Sequence, residues 1–213
     1  MSEQNYQTLI PFIERALYNI VDSSDDKKQG FIDVTTTAAA NDDFREALID
    51  IAQNSNDYGS ARRLAIRCLG QVAKGHDDAR KALIDIAMKD PSKTDARARD
   101  AAHYRNTPII ASVAVRCLAE LAPQHDDARQ ALIEIAKNDE NESDRSKAMA
   151  CLADLAPTHQ DARAALEEIA QDERDTLSGY AAEALEFLEE QATIDSLAEK
   201  KQLLEQQLLE QQR

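Results

Sequence analysis

Apolar residues recur at three- and four-residue intervals along this chain, and the recurring block is itself repeated. NDDFREALIDIA begins at Asn41, HDDARKALIDIA at His76, HDDARQALIEIA at His125 and HQDARAALEEIA at His159. The ALIDIA, ALIEIA and ALEEIA cores keep one helical face apolar. After a polar loop each copy continues into a second apolar block: LAIRCLGQVA, VAVRCLAELA, KAMACLADLA and YAAEALEFLE. Aligned on Cys68, Cys117, Cys151 and Ala184, these blocks carry alanine three residues earlier, at Ala65, Ala114, Ala148 and Ala181. Leucine follows one residue later, at Leu69, Leu118, Leu152 and Leu185. The pattern predicts four helix pairs. None can bury its apolar face alone, so the pairs must stack on one another.

Breakers and charges mark the ends of these helices. Pro123 and Pro157 follow the second helices of repeats two and three, where proline cannot continue a helix, and Lys74-Gly75 ends that of repeat one. Asp77, Asp126 and Asp161 stand near the start of the next helix, where carboxylates cap free N–H groups and oppose the dipole. Two segments lie outside the copies. Residues 5–21 predict an amphipathic helix, DSSDDKKQGFIDV a loop, and Thr35-Thr36-Thr37-Ala38 the opening of a further short helix. Residues 1–40 are therefore expected to cap the amino end, 41–191 to hold the four pairs, and 192–213 to form a carboxy-terminal helix.

The stretches GSARRLAIRCLGQVA and SDRSKAMACLADLA resemble the second-helix consensus of HEAT-like repeat proteins, with Arg62 and Arg145 at its recurrent basic position. The resemblance covers roughly Asn41 to Gln191. The chain departs from it where Ala111 and Ser178 replace that arginine, and where the first helices lack the proline common in the family. Copy spacings of 35 and 34 residues also suit tetratricopeptide repeats, but the long loops here lie inside the repeat and the short turns between repeats. The resemblance implies an all-α, right-handed α-solenoid acting as a non-enzymatic scaffold or adaptor for a protein partner. It also implies an alternative, since some small HEAT-like proteins attach or detach bilin chromophores on light-harvesting proteins.

Composition narrows the partners. The formal net charge of −15, from 40 acidic against 25 basic residues, opposes nucleic-acid binding, which draws its affinity from neutralising phosphates. It opposes an anionic membrane surface as well, and no run reaches the roughly 18 apolar residues of a membrane span. A basic or mixed-charge protein partner fits better. The start has no basic segment, uninterrupted apolar core or cleavage site, and the three cysteines suit a reducing cytoplasm.

Candidate chemistry dissolves into the repeat. Cys68, Cys117 and Cys151 occupy equivalent positions about one repeat apart, roughly 10 Å by helix packing, too far for a disulfide. They are expected to be small core residues, as Ala184 is in the fourth copy. His76, His125 and His159 form a ladder in the turns rather than a cluster, so no zinc site is expected and the imidazoles should bond helix-end carbonyls. Arg45, Arg80, Arg129 and Arg163 recur in register and are expected to contact aspartates of neighbouring turns. Phosphate-binding glycine loops and the GxSxG, HExxH and CxxC motifs are missing, so no cofactor, metal or catalytic residue is predicted.

The irregular part is the insertion at residues 89–108, about fourteen residues longer than the equivalent loops. It is locally basic, and Arg97, Arg99, His103, Tyr104 and Arg105 are its candidate contact residues. The second-helix face supplies the others. One aligned row reads Arg67, Arg116, Ala150 and Glu183; a second, one turn on, reads Gln71, Glu120 and Asp154. The face is expected to pass from basic to acidic along the stack. At the carboxy end, Ile194, Leu197, Leu204 and Leu208 form a stripe interrupted by Lys201. It is expected to dock back as a cap on a monomer rather than pair two copies.

Overall fold

The computed structural model describes residue 9 and residues 11–13, 15–16, 26–54, 60–89, 110–172 and 174–211. Among the described residues the chain is all α, with no strand. The helices are α1 (Asp26–Ala40), α2 (Asp42–Asn54), α3 (Ser60–Val72), α4 (Asp77–Lys89), α5 (Ile110–Leu121), α6 (Asp126–Asn138), α7 (Glu142–Leu155), α8 (Gln160–Gln171) and α9 (Ser178–Gln211). The four predicted pairs are thus α2/α3, α4/α5, α6/α7 and α8/α9.

The chain divides into two compact units, Met1–Ala148 and Met149–Arg213, with the boundary inside α7. In the first unit sequential helices pack on one another in two rows. The first helices α2, α4 and α6 are neighbours in one row, and α1, α3 and α5 in the other. Leu48, Ile51, Leu83, Leu132 and Ile135 from the first row meet Ile66, Leu69, Leu118 and Leu121 from the second in a continuous buried core. In the second unit α8 packs on α9, burying Leu166, Ile169 and Ala181, and Leu152 and Leu155 of α7 are buried as well.

Alanine and one glycine bring the second-row helices close. A Cβ on Gly70 would lie 2.8 Å from the Cys117 sulfur, so only glycine fits at that crossing of α3 and α5. The space left by the missing side chain is filled by Cys117, whose Sγ also sits 3.8 Å from the Ile66 carbonyl oxygen. Dispersion between closely packed atoms offsets the roughly 1 kcal/mol that a mid-helix glycine costs.

Two sequence expectations are corrected. Residues 26–34, expected as loop, form the first two turns of α1. Their helix has a face because Val34 and Ala38, four residues apart, are buried, and Thr35 and Thr37 return their hydroxyls to the carbonyls of Phe31 and Asp33 at 2.9 and 2.7 Å. The carboxy-terminal stripe does not fold back. α9 runs on without a break from repeat four, and Ile194 and Leu197 are exposed. No glycine or proline interrupts residues 180–211, so nothing in the backbone provides the turn a cap would need.

Candidate functional site

The turns between repeats are built around buried arginines. Arg45 donates from Nη1 to the Ala38 carbonyl at 3.0 Å, from Nη2 to Asp42 at 2.8 Å, and from Nε to Asp78 of the next repeat at 2.7 Å. Arg80 repeats the arrangement with the Ala73 carbonyl at 2.9 Å, Asp77 at 2.6 Å and Asp127 at 3.0 Å. Arg129 reaches the Ala122 carbonyl at 3.0 Å and Asp126 at 2.7 Å. Each guanidinium therefore satisfies a carbonyl at the end of one helix and grips the first-turn carboxylate of the next. The planar fork of five donors suits arginine to this task, and lysine could not replace it.

Burial works against the charge of Arg45 and Arg80, yet the hydrogen bonds they donate to Asp78 and Asp127, then to Asp42 and Asp77, hold both above the usual arginine range. For Asp78 and Asp127 burial acts in the upward direction. The bonds from Arg45 and Arg80 and from the N–H groups of Ala79 and Ala128 outweigh it and hold both carboxyls below their usual range. The expected Asp–Arg ladder is present in this first unit. Its two aspartate positions do different work: Asp42, Asp77 and Asp126 grip the arginine of their own helix, while Asp78, Asp127 and Asp161 bond their next-residue N–H. Asp77 and Asp126 are thus not the backbone caps they resemble in sequence.

A second arginine position ties each pair internally. Arg62 Nε donates to the Ala52 carbonyl at 2.7 Å and Arg145 Nε to the Ala136 carbonyl at 3.1 Å, closing the end of the first helix against the start of the second. The histidines act differently from expectation. His125 and His159 sit extended at the helix starts without a side-chain cap, and it is their backbone N–H groups that bond Leu121 and Leu155 at 3.1 and 2.9 Å. The His159 imidazole pairs with the Thr158 hydroxyl at 2.8 Å.

This framework presents the second-row helices with a fixed outer face. Arg67 on α3 and Arg116 on α5 are exposed at equivalent positions of two adjacent helices, with Gln71 and Glu120 exposed one turn further on. The Arg67 guanidinium lies 5.9 Å from the centroid of the Phe31 ring, a cation–π contact that orients it. In the second unit Asp154 on α7 and Glu183 on α9 are exposed and Ala150 is half-buried. The insertion residues Arg97, Arg99, His103, Tyr104 and Arg105 lie outside the described residues.

The thiols flank this face from within. Cys68 and Cys117 are buried and Cys151 half-buried, and none of the three is in a disulfide. Burial pushes the Cys68 and Cys117 thiols up to about 12 and Cys151 up to about 11. At neutral pH they are protonated and are poor nucleophiles.

One cluster was missed in the sequence. Asp144 of α7 is fully buried, accepts the Ser112 hydroxyl proton through Oδ1 and leaves Oδ2 without a hydrogen-bond partner. Lys147 Nζ donates to Ser112 Oγ and Ser143 Oγ at 3.0 Å and to Asp144 Oδ1 at 3.3 Å. Column-by-column alignment of the copies holds the signal, because Asp144 falls in the slot of Ala61 and Ile110, and Lys147 in that of Leu64 and Val113. Two apolar positions, one buried and one half-buried in the other copies, have become an ion pair. Chemically the cluster joins α5 to α7 by charge-assisted bonds.

Among the described residues no group of three or more His, Cys, Asp or Glu side chains is placed to hold a metal ion, and no helix is long and apolar enough to cross a membrane. No family model matches the chain, and no curated protein matches it. Two solved engineered proteins are similar to it over part of their fold. One is 17% identical with a TM-score of 0.37, over 82% of this chain and 47% of its own. The other is 18% identical with the same TM-score of 0.37, over 81% of this chain and 76% of its own. The chain spans about half the length of the first.

Proposed function

We propose that this chain is a HEAT-like, right-handed α-solenoid that serves as a non-enzymatic scaffold for a protein partner, bound on its second-helix face. The observation that carries this reading is the contrast within α3 and α5. Ala65, Ile66, Cys68 and Leu69, and their counterparts Ala114, Val115, Cys117 and Leu118, are buried, whereas Arg67 and Arg116 between them project outward. A cationic pair on this face, within a protein of net charge −15, gives the acidic groups of a mixed-charge segment a local contact. Arginine also suits the centre of an interface, where its planar head stacks and bonds at once. Glu120, one turn on from Arg116, would set the polarity of the bound segment.

Affinity capture from the native host tests the idea. The wild type should retain a protein that Arg67→Glu/Arg116→Glu loses, with helix content unchanged by circular dichroism. Replacing residues 91–106 by a Gly/Ser linker should weaken the same capture. Identical retention by wild type and both variants would refute the assignment of these residues to binding.

A further inference from the structure

We infer that α9 pairs with α9 of a second copy as an antiparallel two-stranded coiled coil, in a register set by Lys201 against Glu190. Among the described residues, four large apolar side chains of this helix are exposed: Tyr180 at 43%, Phe187 at 64%, Ile194 at 57% and Leu197 at 60%. Tyr180, Phe187 and Ile194 stand seven residues apart, and the same spacing continues to Lys201 and Leu208. Three residues on from each lie Glu183, Glu190, Leu197, Leu204 and Gln211. These are the two seam positions of a heptad repeat. With Tyr180 and Phe187 included the seam positions recur over about four heptads, and six of the ten are apolar.

The seam faces away from the helix's own packing. Leu177, Ala181, Ala184, Leu185 and Leu188, buried or half-buried, form the face of repeat four. At 3.6 residues per turn, Phe187, Glu190, Ile194, Leu197 and Lys201 fall on roughly the opposite side. A second copy can therefore dock without displacing α8. The stripe drifts slowly around a straight helix, as a seven-residue repeat must, and a left-handed supercoil would keep it in contact.

Charge then selects the orientation. In an antiparallel pair the first seam position of one helix faces the second seam position of the other. Placing Ile194 opposite Leu197 of the second copy puts Phe187 opposite position 204, a leucine, and Lys201 opposite Glu190. Two-fold symmetry makes each of these layers twice, so one register places apolar residues on apolar residues and joins both ion pairs. The outermost positions, 180 with 211 and 183 with 208, add no apolar match. A parallel pair would stack Lys201 on Lys201 and Glu190 on Glu190 within the seam. Its only gain would be Lys200 with Glu205 at the exposed rim, where ion pairs contribute little. Lys201 is free to turn, since its intrahelical contact to Glu205 is long at 4.0 Å and both groups are exposed.

Sedimentation velocity on the full chain across a concentration series tests this, with circular dichroism confirming that each variant keeps its helix content. The wild type should self-associate to a dimer. Lys201→Glu and Glu190→Lys should each weaken the dimer more than about tenfold, because each puts like charges in a seam layer. The double variant, with the charges exchanged, should restore it. A monomeric wild type overturns the inference, as does a double variant no better than either single one, since a parallel pair keeps like charges whichever sign they carry. Capture of the partner proposed for α3 and α5 reads out separately from the sedimentation.

Discussion

Arg80 and Arg163 occupy the same place in two copies of one sequence and live in different surroundings. Arg80 is nearly buried, with its side chain 10% exposed, and donates to two carboxylates and a carbonyl. Arg163 is 39% exposed and points instead to Glu167 in its own helix at 3.0 Å and to Glu189 on α9 at 3.3 Å. Glu189 on α9 takes the place of the next repeat's aspartate, and one further partner differs in the arginine's own helix. Gln160 stands where repeats one to three have Asp42, Asp77 and Asp126, so the first-turn carboxylate that holds the guanidinium inward is missing. An arginine in register is a structural element only when its acceptors recur with it.

The largest expected effect is loss of the buried member. Arg80→Ala should destabilise by about 2–4 kcal/mol in urea unfolding. It removes three charge-assisted bonds and leaves the Ala73 carbonyl without a donor, while Asp77 and Asp127 stay partly solvated and limit the cost. A loss below that of Arg163→Ala would break the comparison.

Next comes the helix crossing that the same unit depends on. Gly70→Ala should cost about 1–3 kcal/mol, because the added methyl meets Cys117 at 2.8 Å and helix propensity returns less than the clash removes. Adding Cys117→Ala should recover part of that loss.

Acid should act on the first unit through Asp78 and Asp127. Both carboxyls are held below their ordinary range in the fold, so their contribution is complete above the unfolded value of about 4 and disappears as pH falls through the lower folded values. Asp78→Asn/Asp127→Asn should therefore lower stability at pH 7, and the gap to wild type should narrow when the unfolding is repeated below about pH 4. A gap that stays constant with pH would show that these carboxylates do not carry the linkage.

The smallest effect belongs to the exposed arginine. Arg163→Ala should change stability by less than about 1 kcal/mol, as exposed pairs do. Gln160→Asp sharpens the point by restoring the carboxylate. It should stabilise by a few tenths of a kcal/mol and make the loss on Arg163→Ala larger than in the wild type.

Helix pairing, the apolar seat of Cys68 and Cys117 and the recurrence of the arginines were legible because each is a periodic property, written several times over. What escaped was relational. The α1 helix hides behind a polar composition because only Val34 and Ala38 need to be buried to hold it. Asp144 and Lys147 look like ordinary surface charges until the copies are aligned and their slots prove apolar elsewhere. The closeness of α3 and α5 was likewise invisible, since a lone glycine in a helix does not say which neighbour presses against it. Nor could the stripe at Ile194 and Leu197 reveal from its own pattern whether the helix would turn back.

The arginine turn also has a consequence for how such a chain can lengthen. Each turn needs only a short cassette: an aspartate and, three residues on, an arginine at the head of one unit, and the second aspartate at the head of the next. A duplicated unit that begins HDDAR brings both halves of the joint with it, so it can be spliced between copies one and two without redesigning either neighbour. The fourth copy, opening HQDAR, carries the second aspartate but not the first, so its arginine lacks the partner in its own helix. Growth by duplication is therefore easiest among the copies that carry both aspartates.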